Sequence, residues 1–131
     1  MLRISSPLAD EVETLIHETI GCCIAVHRAL GPGLMEAIYS RAVGIELAAV
    51  GIPSACEASY PVIYRGQVLC HQRLDLVVDG RLILEIKAVE CLNQLHRAQL
   101  LSYLRVATIR AGLLINFNVP VLQDGIKRIV L

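Results

Sequence analysis

Three charged residues stand in an otherwise apolar part of the chain, and their types could do chemistry. Asp75 lies in a Leu- and Val-rich segment, and Glu85 and Lys87 follow in a second such segment. Because one residue separates Glu85 from Lys87, their side chains point the same way on a β-strand. Carboxylates and an ammonium are costly to bury in a sheet unless they pair or bind a metal. Asp75, Glu85 and a nearby backbone carbonyl, that of Ile86, therefore suit Mg²⁺ or Mn²⁺.

The register of the two strands that carry these residues follows from two apolar rows. The rows are Leu74, Leu76 and Val78 on the first strand, and Leu82, Leu84 and Ile86 on the second. They share one side only if the connecting loop holds an odd number of residues. We expect a three-residue loop, Val78-Asp79-Gly80, with Gly80 left-handed in a type I turn plus bulge. This register places a charged cluster on a sheet whose other face is wholly apolar: Arg73, Asp75, Glu85 and Lys87.

Further polar residues could join this cluster from two predicted helices. One helical stripe after the strands contains Leu92, His96, Gln99 and Tyr103. Gln99 could hold a water or a substrate oxygen, and Lys87 could orient an attacking water and offset charge on a phosphate. Glu36, early on the second helix, could reach the same site. Each residue also has a structural alternative: Glu36 as a charge favoured by the helix dipole, His96 as an exposed or satisfied histidine, and Glu85 with Lys87 as a solvated pair.

Composition limits the class of protein. The 131 residues suit one domain, over residues 1–131, and 12 basic against 12 acidic side chains leave no net charge. A strongly electrostatic nucleic-acid binder is therefore not expected, although a local basic patch is compatible with this charge. No apolar run approaches the roughly 20 residues of a membrane span, and we expect no membrane association. Five cysteines without a Cys-x-x-Cys pair favour reduced thiols and a cytoplasmic protein.

Hydrophobic periodicity predicts the order of the elements. We expect helices over residues 8–30, 34–50 and 93–108, strands over 58–64, 68–78, 81–88 and 111–117, and a short last strand over 126–131. Since a helix connects the strands over 81–88 and 111–117, these two strands should be parallel and adjacent.

The motifs in this order resemble the GxxExxY proteins, a group within the PD-(D/E)XK nuclease superfamily. The segment from Gly33 to Tyr39 has the form Gly-x-x-Glu-x-x-Tyr. It is followed by Asp75, by Glu85-Ile86-Lys87, by Gln99-Leu100-Leu101-Ser102-Tyr103, and by the segment from Leu113 to Pro120. One departure is Leu74, which stands before Asp75 where the name of the superfamily has Pro.

The resemblance implies both a fold and a site. The fold is α/β, with a restriction-endonuclease-like αβββαβ core, a central mixed sheet flanked by helices, and an extra N-terminal helix. The implied metal site lies at Asp75 and Glu85, and Lys87, Glu36 and Gln99 complete the catalytic set. Four further residues are candidate substrate contacts: Tyr39, Arg73, His96 and Tyr103.

The sequence therefore favours a Mg²⁺-dependent nuclease that cleaves DNA, or RNA, with a metal-activated water. The alternative is a non-catalytic nucleic-acid-binding or protein-assembly module that keeps the nuclease fold. Neutral charge and few aromatic residues for base stacking favour this alternative. Because a small domain has little room for a groove of its own, we also expect a homodimer or a partner subunit.

Overall fold

The computed structural model describes residues 6–131. Three helices are present: α1 (Asp10–Leu30), α2 (Glu36–Ala49) and α3 (Gln94–Ala107). Five strands accompany them: β1 (Ser54–Tyr64), β2 (Gln67–Val78), β3 (Leu82–Lys87), β4 (Ala111–Asn116) and β5 (Ile126–Val130). A short 3₁₀ turn, Leu122–Gly125, precedes β5 and was not expected from the sequence. Within the described residues, no helix combines the length and the apolar character that a bilayer crossing requires.

The strands form one mixed sheet in the order β1-β2-β3-β4-β5. β3 and β4 are parallel, and the other neighbours are antiparallel, which confirms the predicted crossover through α3. One core cluster joins α1 and α2 to one face of the sheet, and a second joins α3 to the opposite face. The structure is therefore the predicted helix-flanked mixed sheet with an additional N-terminal helix.

The β2–β3 connection confirms the odd-length loop but corrects its details. The pairs Val78–Leu82 and Leu76–Leu84 enclose a loop of three residues, Asp79-Gly80-Arg81, so the loop starts one residue later than predicted. Asp79 and Gly80 both have positive φ, 51° and 65°, whereas a type I turn has negative φ at both central positions. Two positive φ angles are the signature of the mirror-image type I′ turn, whose twist suits a hairpin.

β2 changes face at Asp75, which the sequence prediction did not anticipate. Leu76 packs in the cluster under α1 and α2, whereas Leu74 packs with Val77 in the cluster under α3. The prediction that Leu74 shares a face with Leu76 is therefore wrong. The cause lies opposite Asp75, where Glu57 of β1 has a left-handed φ of 53° and interrupts the regular pairing.

The predicted open charged face is corrected as well. Both faces of the sheet are apolar and covered by helices, because Ile83 and Leu114 pack under α3 while Leu84 and Ile86 pack under α1 and α2. Glu85 and Lys87 lie in the last three residues of β3, at the end of the sheet where this strand finishes. The candidate site therefore lies at one end of the strands, between the helices that cover the two faces of the sheet.

Candidate active site

Asp75 lies where β2 and β3 separate. Its Oδ2 accepts a hydrogen bond from the backbone N–H of Ile86 at 2.8 Å. The regular β2–β3 pairing ends one step earlier, at Leu76 and Leu84. The Asp75 carboxylate thus takes the place of a backbone acceptor, and the strand pair opens around it. Because the N–H and C=O of one strand residue face the same neighbouring strand, the Ile86 carbonyl also faces the side of Asp75.

Glu85 is the buried carboxyl of the site, only 6% exposed. Burial, then interaction with the adjacent Asp75 carboxyl, raises the pKa of Glu85 to about 9, and Glu36 adds to this effect. Lys87 acts in the opposite direction, since its Nζ lies 3.8 Å from Glu85 Oε1. Two close carboxyls resist joint ionisation without a cation, so Glu85 keeps its proton at neutral pH in the metal-free protein.

The donor set fits a divalent cation. Glu85 Oε2 is buried and has no hydrogen-bond partner among the described residues. An unsatisfied buried oxygen beside a second carboxylate is what a cation would satisfy, and the Ile86 carbonyl faces the same side. In residues 6–131 no group of three or more His, Cys, Asp or Glu side chains is arranged to hold a metal. Mg²⁺ commonly uses only one or two protein carboxylates and keeps several waters, so two carboxylates are sufficient for it.

Glu36 approaches the site from α2. It is the first residue of the helix, where the dipole favours a negative charge. Its Oε1 accepts a hydrogen bond from the backbone N–H of Ala88 at 3.2 Å, just beyond β3. Glu36 also contributes to the raised pKa of Glu85. The sequence left two roles open for Glu36: a charge favoured by the helix dipole, and a residue that reaches the site of Glu85. Its position is compatible with both.

α3 covers the other side of the site with Gln99 and Tyr103. Gln99 Oε1 is buried and lacks a hydrogen-bond partner among the described residues. Burial, then the charges of Glu85 and Asp75, raises the pKa of Tyr103, which places the phenol within electrostatic reach of both carboxyls. Gln99 and Tyr103 are four residues apart on one helical face, so the Gln99 side chain lies on the same side of α3.

Arg73 and His96 have partners elsewhere. Arg73 is exposed, and its Nη1 lies 3.2 Å from Glu57 Oε1 at the rim of the sheet. His96 is part of the α3 capping box: its Nδ1 accepts from the Asn93 N–H, and its own N–H donates to Asn93 Oδ1. Of the two alternatives for His96, this position favours the satisfied histidine.

Tyr39 is fully buried and is not a substrate contact, which corrects the sequence prediction. Its ring stacks on Phe117, with centroids 4.4 Å apart. Its hydroxyl donates to the Gly31 carbonyl and accepts from the Leu34 N–H. Tyr39 therefore holds the α1–α2 connection from which the helix carrying Glu36 begins.

Asn116 is a structural residue of the site that the sequence reasoning did not single out. It is 2% exposed and stands at the end of β4, paired with Lys87. Its Oδ1 accepts from the N–H groups of Val89 and Asn118, and its Nδ2 donates to the Val89 carbonyl. It thereby fixes the backbone that leaves β3. In the sequence, this role was indicated by one feature: Asn116 is an amide residue at the end of an apolar run.

A cleft of about 430 Å³ lies directly beside these carboxyls. Its lining includes Glu36 and Asp75, so the cleft and the candidate site are continuous. The remaining lining residues are Ala37, Ser40, Arg41, Cys56 and Glu57. The cleft therefore leads to Asp75 between α2 and the first two strands.

One comparison with known proteins identifies the family. The model of the PD-(D/E)XK nuclease superfamily matches residues 13–129, which is nearly the whole chain. The chain belongs to the PD-(D/E)XK nuclease superfamily. No curated protein and no solved structure matches it. The family as a whole implies nuclease-type chemistry on a nucleic-acid substrate, and its members generally use divalent metals.

Proposed function

We propose that the chain is a Mg²⁺-dependent nuclease of the GxxExxY group that hydrolyses phosphodiester bonds in DNA. One observation carries the proposal: the buried Glu85 carboxyl lies against the Asp75 carboxyl and the Lys87 ammonium, with no donor group of the described residues at its Oε2, in a chain that belongs to a nuclease superfamily. Two carboxyls held this close are stable only while a proton or a cation lies between them, so a role in binding or catalysis accounts for the pair.

The roles of the residues follow from their positions. Asp75, Glu85 and the Ile86 carbonyl would hold Mg²⁺ or Mn²⁺, which when bound polarises a phosphoryl oxygen and lowers the pKa of a coordinated water. Lys87 offsets charge that develops on the phosphate in the transition state. Gln99 offers an unused amide to the attacking water or to a substrate oxygen. Glu36 positions the backbone after β3 through its bond to Ala88 and adds negative charge near the cation.

The second candidate is a binding or assembly module that retains the fold without turnover. Two observations favour it: the described residues contain no group of three or more side chains arranged to hold a metal, and the net charge is zero.

We also propose that a second copy or a partner subunit extends the binding surface. The exposed apolar side chains at the free end of the β1–β2 hairpin support this, namely Ile63, Tyr64, Val68 and Leu69.

A comparative cleavage assay tests the enzyme proposal. Wild type, Lys87→Ala, Glu85→Gln and Gln99→Ala are purified identically and incubated with Mn²⁺ and a panel of DNA and RNA substrates. We expect Lys87→Ala and Glu85→Gln to lose cleavage, with oligonucleotide binding by Lys87→Ala within a few fold of wild type. Gln99→Ala should be milder, because solvent can partly replace an oriented water. Equal cleavage by wild type and Lys87→Ala, or none by either, would favour the module.

A further inference from the structure

The cleft beside Asp75 has two walls of different chemistry. The α2 wall presents Glu36, Ala37, Ser40 and Arg41, and the sheet wall presents Cys56, Glu57 and Asp75. Its volume of about 430 Å³ lies within the range of small-ligand sites, roughly 300–1,000 Å³. Because Asp75 belongs to both the cleft and the carboxyl pair, a molecule in the cleft would extend to the reacting centre.

Among the described residues that line the cleft, the one basic side chain is Arg41, and it is available to bind an anion. Glu57 lies 3.2 Å from Arg73, so this carboxylate is already paired at the rim. Arg41 is exposed, and within residues 6–131 no carboxylate oxygen lies close enough to form an ion pair with it. A guanidinium recognises phosphate through paired hydrogen bonds, and an unpaired one loses no partner when phosphate arrives.

The cleft is shaped by small side chains. Ala37, Ser40 and Cys56 leave the space between α2 and β1, and Gly44 lets the two elements approach closely. A Cβ on Gly44 would lie 3.1 Å from Cys56 Sγ, so a larger residue there would require the Cys56 side chain to shift by a few tenths of an ångström. A space of this volume suits one small ligand, which is the size class of a single nucleotide and not of a base pair with its two backbones.

We infer that the cleft binds one nucleotide of a single DNA strand, next to the scissile phosphate, and that Arg41 contacts the phosphate of that nucleotide. This inference rests on the proposed nuclease function and adds a substrate class to it. The DNA is held single-stranded or frayed at this point, because the nucleotide enters the cleft alone. Arg41 is then a substrate-binding residue beside the catalytic set.

Binding measurements test the role of Arg41 without requiring turnover. The background is Lys87→Ala, which keeps the oligonucleotide intact, and the probe is a fluorescent single-stranded DNA oligonucleotide in Mg²⁺, read by anisotropy. We expect Arg41→Gln to weaken binding about ten-fold and to reduce the salt slope by about 0.7, the loss of one phosphate contact on a single strand. The matched control is Arg105→Gln, an exposed arginine on α3 outside the cleft, and it should bind as the background does. A blunt duplex should bind more weakly than the single strand.

Cys56 provides a second readout within the cleft itself. Cys56, Cys70 and Cys91 are free and exposed, and of these three only Cys56 lines the cleft. Mass spectrometry after limited alkylation should show that the oligonucleotide slows modification of Cys56 and leaves Cys70 and Cys91 unchanged. Unprotected Cys56, or equal affinity of the Arg41→Gln and Arg105→Gln proteins, would overturn the inference. A chain that binds in this manner but fails to cleave would retain the cleft site and lose the nuclease proposal, so the two failures are distinguishable.

Discussion

Asp75 Oδ2 accepts a hydrogen bond from the backbone N–H of Ile86 at 2.8 Å, and this contact ends the regular pairing between β2 and β3. A side chain thus performs the task of a backbone carbonyl, and the same side chain stands beside the buried carboxyl of Glu85. An asparagine can accept the same hydrogen bond through its amide oxygen but carries no charge. Asp75→Asn therefore separates the structural role of this residue from its role in binding a cation.

Divalent metal should stabilise the wild type and not the Asp75→Asn protein. A ligand that binds only the folded state stabilises it by about 2.7 kcal/mol at a concentration 100 times its Kd. We expect Mg²⁺ or Mn²⁺ to raise the Tm of the wild type in differential scanning fluorimetry, and to raise that of Asp75→Asn much less. Ca²⁺-free buffer with EDTA is the reference for both proteins. Equal shifts in the two proteins would remove the case for a metal at this site.

The stability of the metal-free protein should fall as the pH rises. Burial and the neighbouring Asp75 carboxyl raise the pKa of Glu85 from 4.5 to about 9, so the folded state binds this proton more tightly than the unfolded state does. The stabilisation is complete below the unfolded pKa and is lost as the pH rises through the folded pKa. Urea unfolding in EDTA at about pH 5.5 and about pH 8.5 should show a larger loss for wild type than for Glu85→Gln.

The range from about pH 5.5 to about pH 8.5 excludes the titration of Glu13, another carboxyl with a shifted pKa. Arg128, followed by Ser6, holds the pKa of Glu13 down to about 2, so the contribution of Glu13 is lost only in acid, below its ordinary value of 4.5. Above pH 5 the difference between wild type and Glu85→Gln should therefore report on Glu85. Identical pH dependence in these two proteins would contradict the protonated state of Glu85.

The sequence predicted the scaffold better than the details of the site. Asp75, Glu85 and Lys87 could be proposed as site residues because charged residues in apolar strands are conspicuous, and the parallel β3–β4 pair followed from the helix between them. The twist that moves Leu74 to the other face was not predictable, because it depends on the left-handed Glu57 on a different strand. A period-two pattern assumes a regular strand.

The burial of Tyr39 could not be predicted from the motif either, because it depends on a residue outside the motif. Its spacing from Glu36 suggested a shared site, but the ring of Phe117, which lies far away in the chain, covers it. The cleft at Arg41 was missed for a related reason. It exists only where α2 meets β1, and no residue pattern within either element specifies that contact.

Loss of the Asn116 amide should destabilise the protein and disturb the site. Asn116→Ala leaves the Val89 N–H without its partner and the Val89 carbonyl with only the longer bond from Asn118, and an unsatisfied buried group costs about 1–3 kcal/mol. The matched control is Asn118→Ala, because Asn118 is exposed and its side chain makes one longer bond, 3.4 Å, to the Val89 carbonyl. Urea unfolding should show a clearly larger loss for Asn116→Ala, and equal losses would contradict the role assigned to Asn116.

Two glycine substitutions should have opposite effects. At Gly125 an added Cβ would lie 2.3 Å from the Asn116 carbonyl oxygen, so the backbone must move and Gly125→Ala should lower the Tm. At Gly21, inside α1, an added Cβ meets nothing within 4 Å. Because alanine is better than glycine in a helix by about 0.5–1 kcal/mol, Gly21→Ala should raise the Tm. Thermal unfolding of both variants checks the pair, and a stabilised Gly125→Ala protein would contradict the close contact.

The pairing of Lys87 with Asn116 has a consequence for biosynthesis. Asp75, Glu85 and Lys87 lie on β2 and β3. The backbone beyond Lys87, however, is fixed by β4 and the residue after it: the Phe117 N–H donates to the Lys87 carbonyl, and Asn116 bonds to Val89. Chains emerge from the ribosome amino end first, so the β1–β2–β3 meander is exposed before α3 and β4 exist. Until then the apolar side chains of β3 lack their parallel neighbour. A nascent chain therefore carries the candidate site residues through Gln99 before β4 is available to order the backbone beyond Lys87.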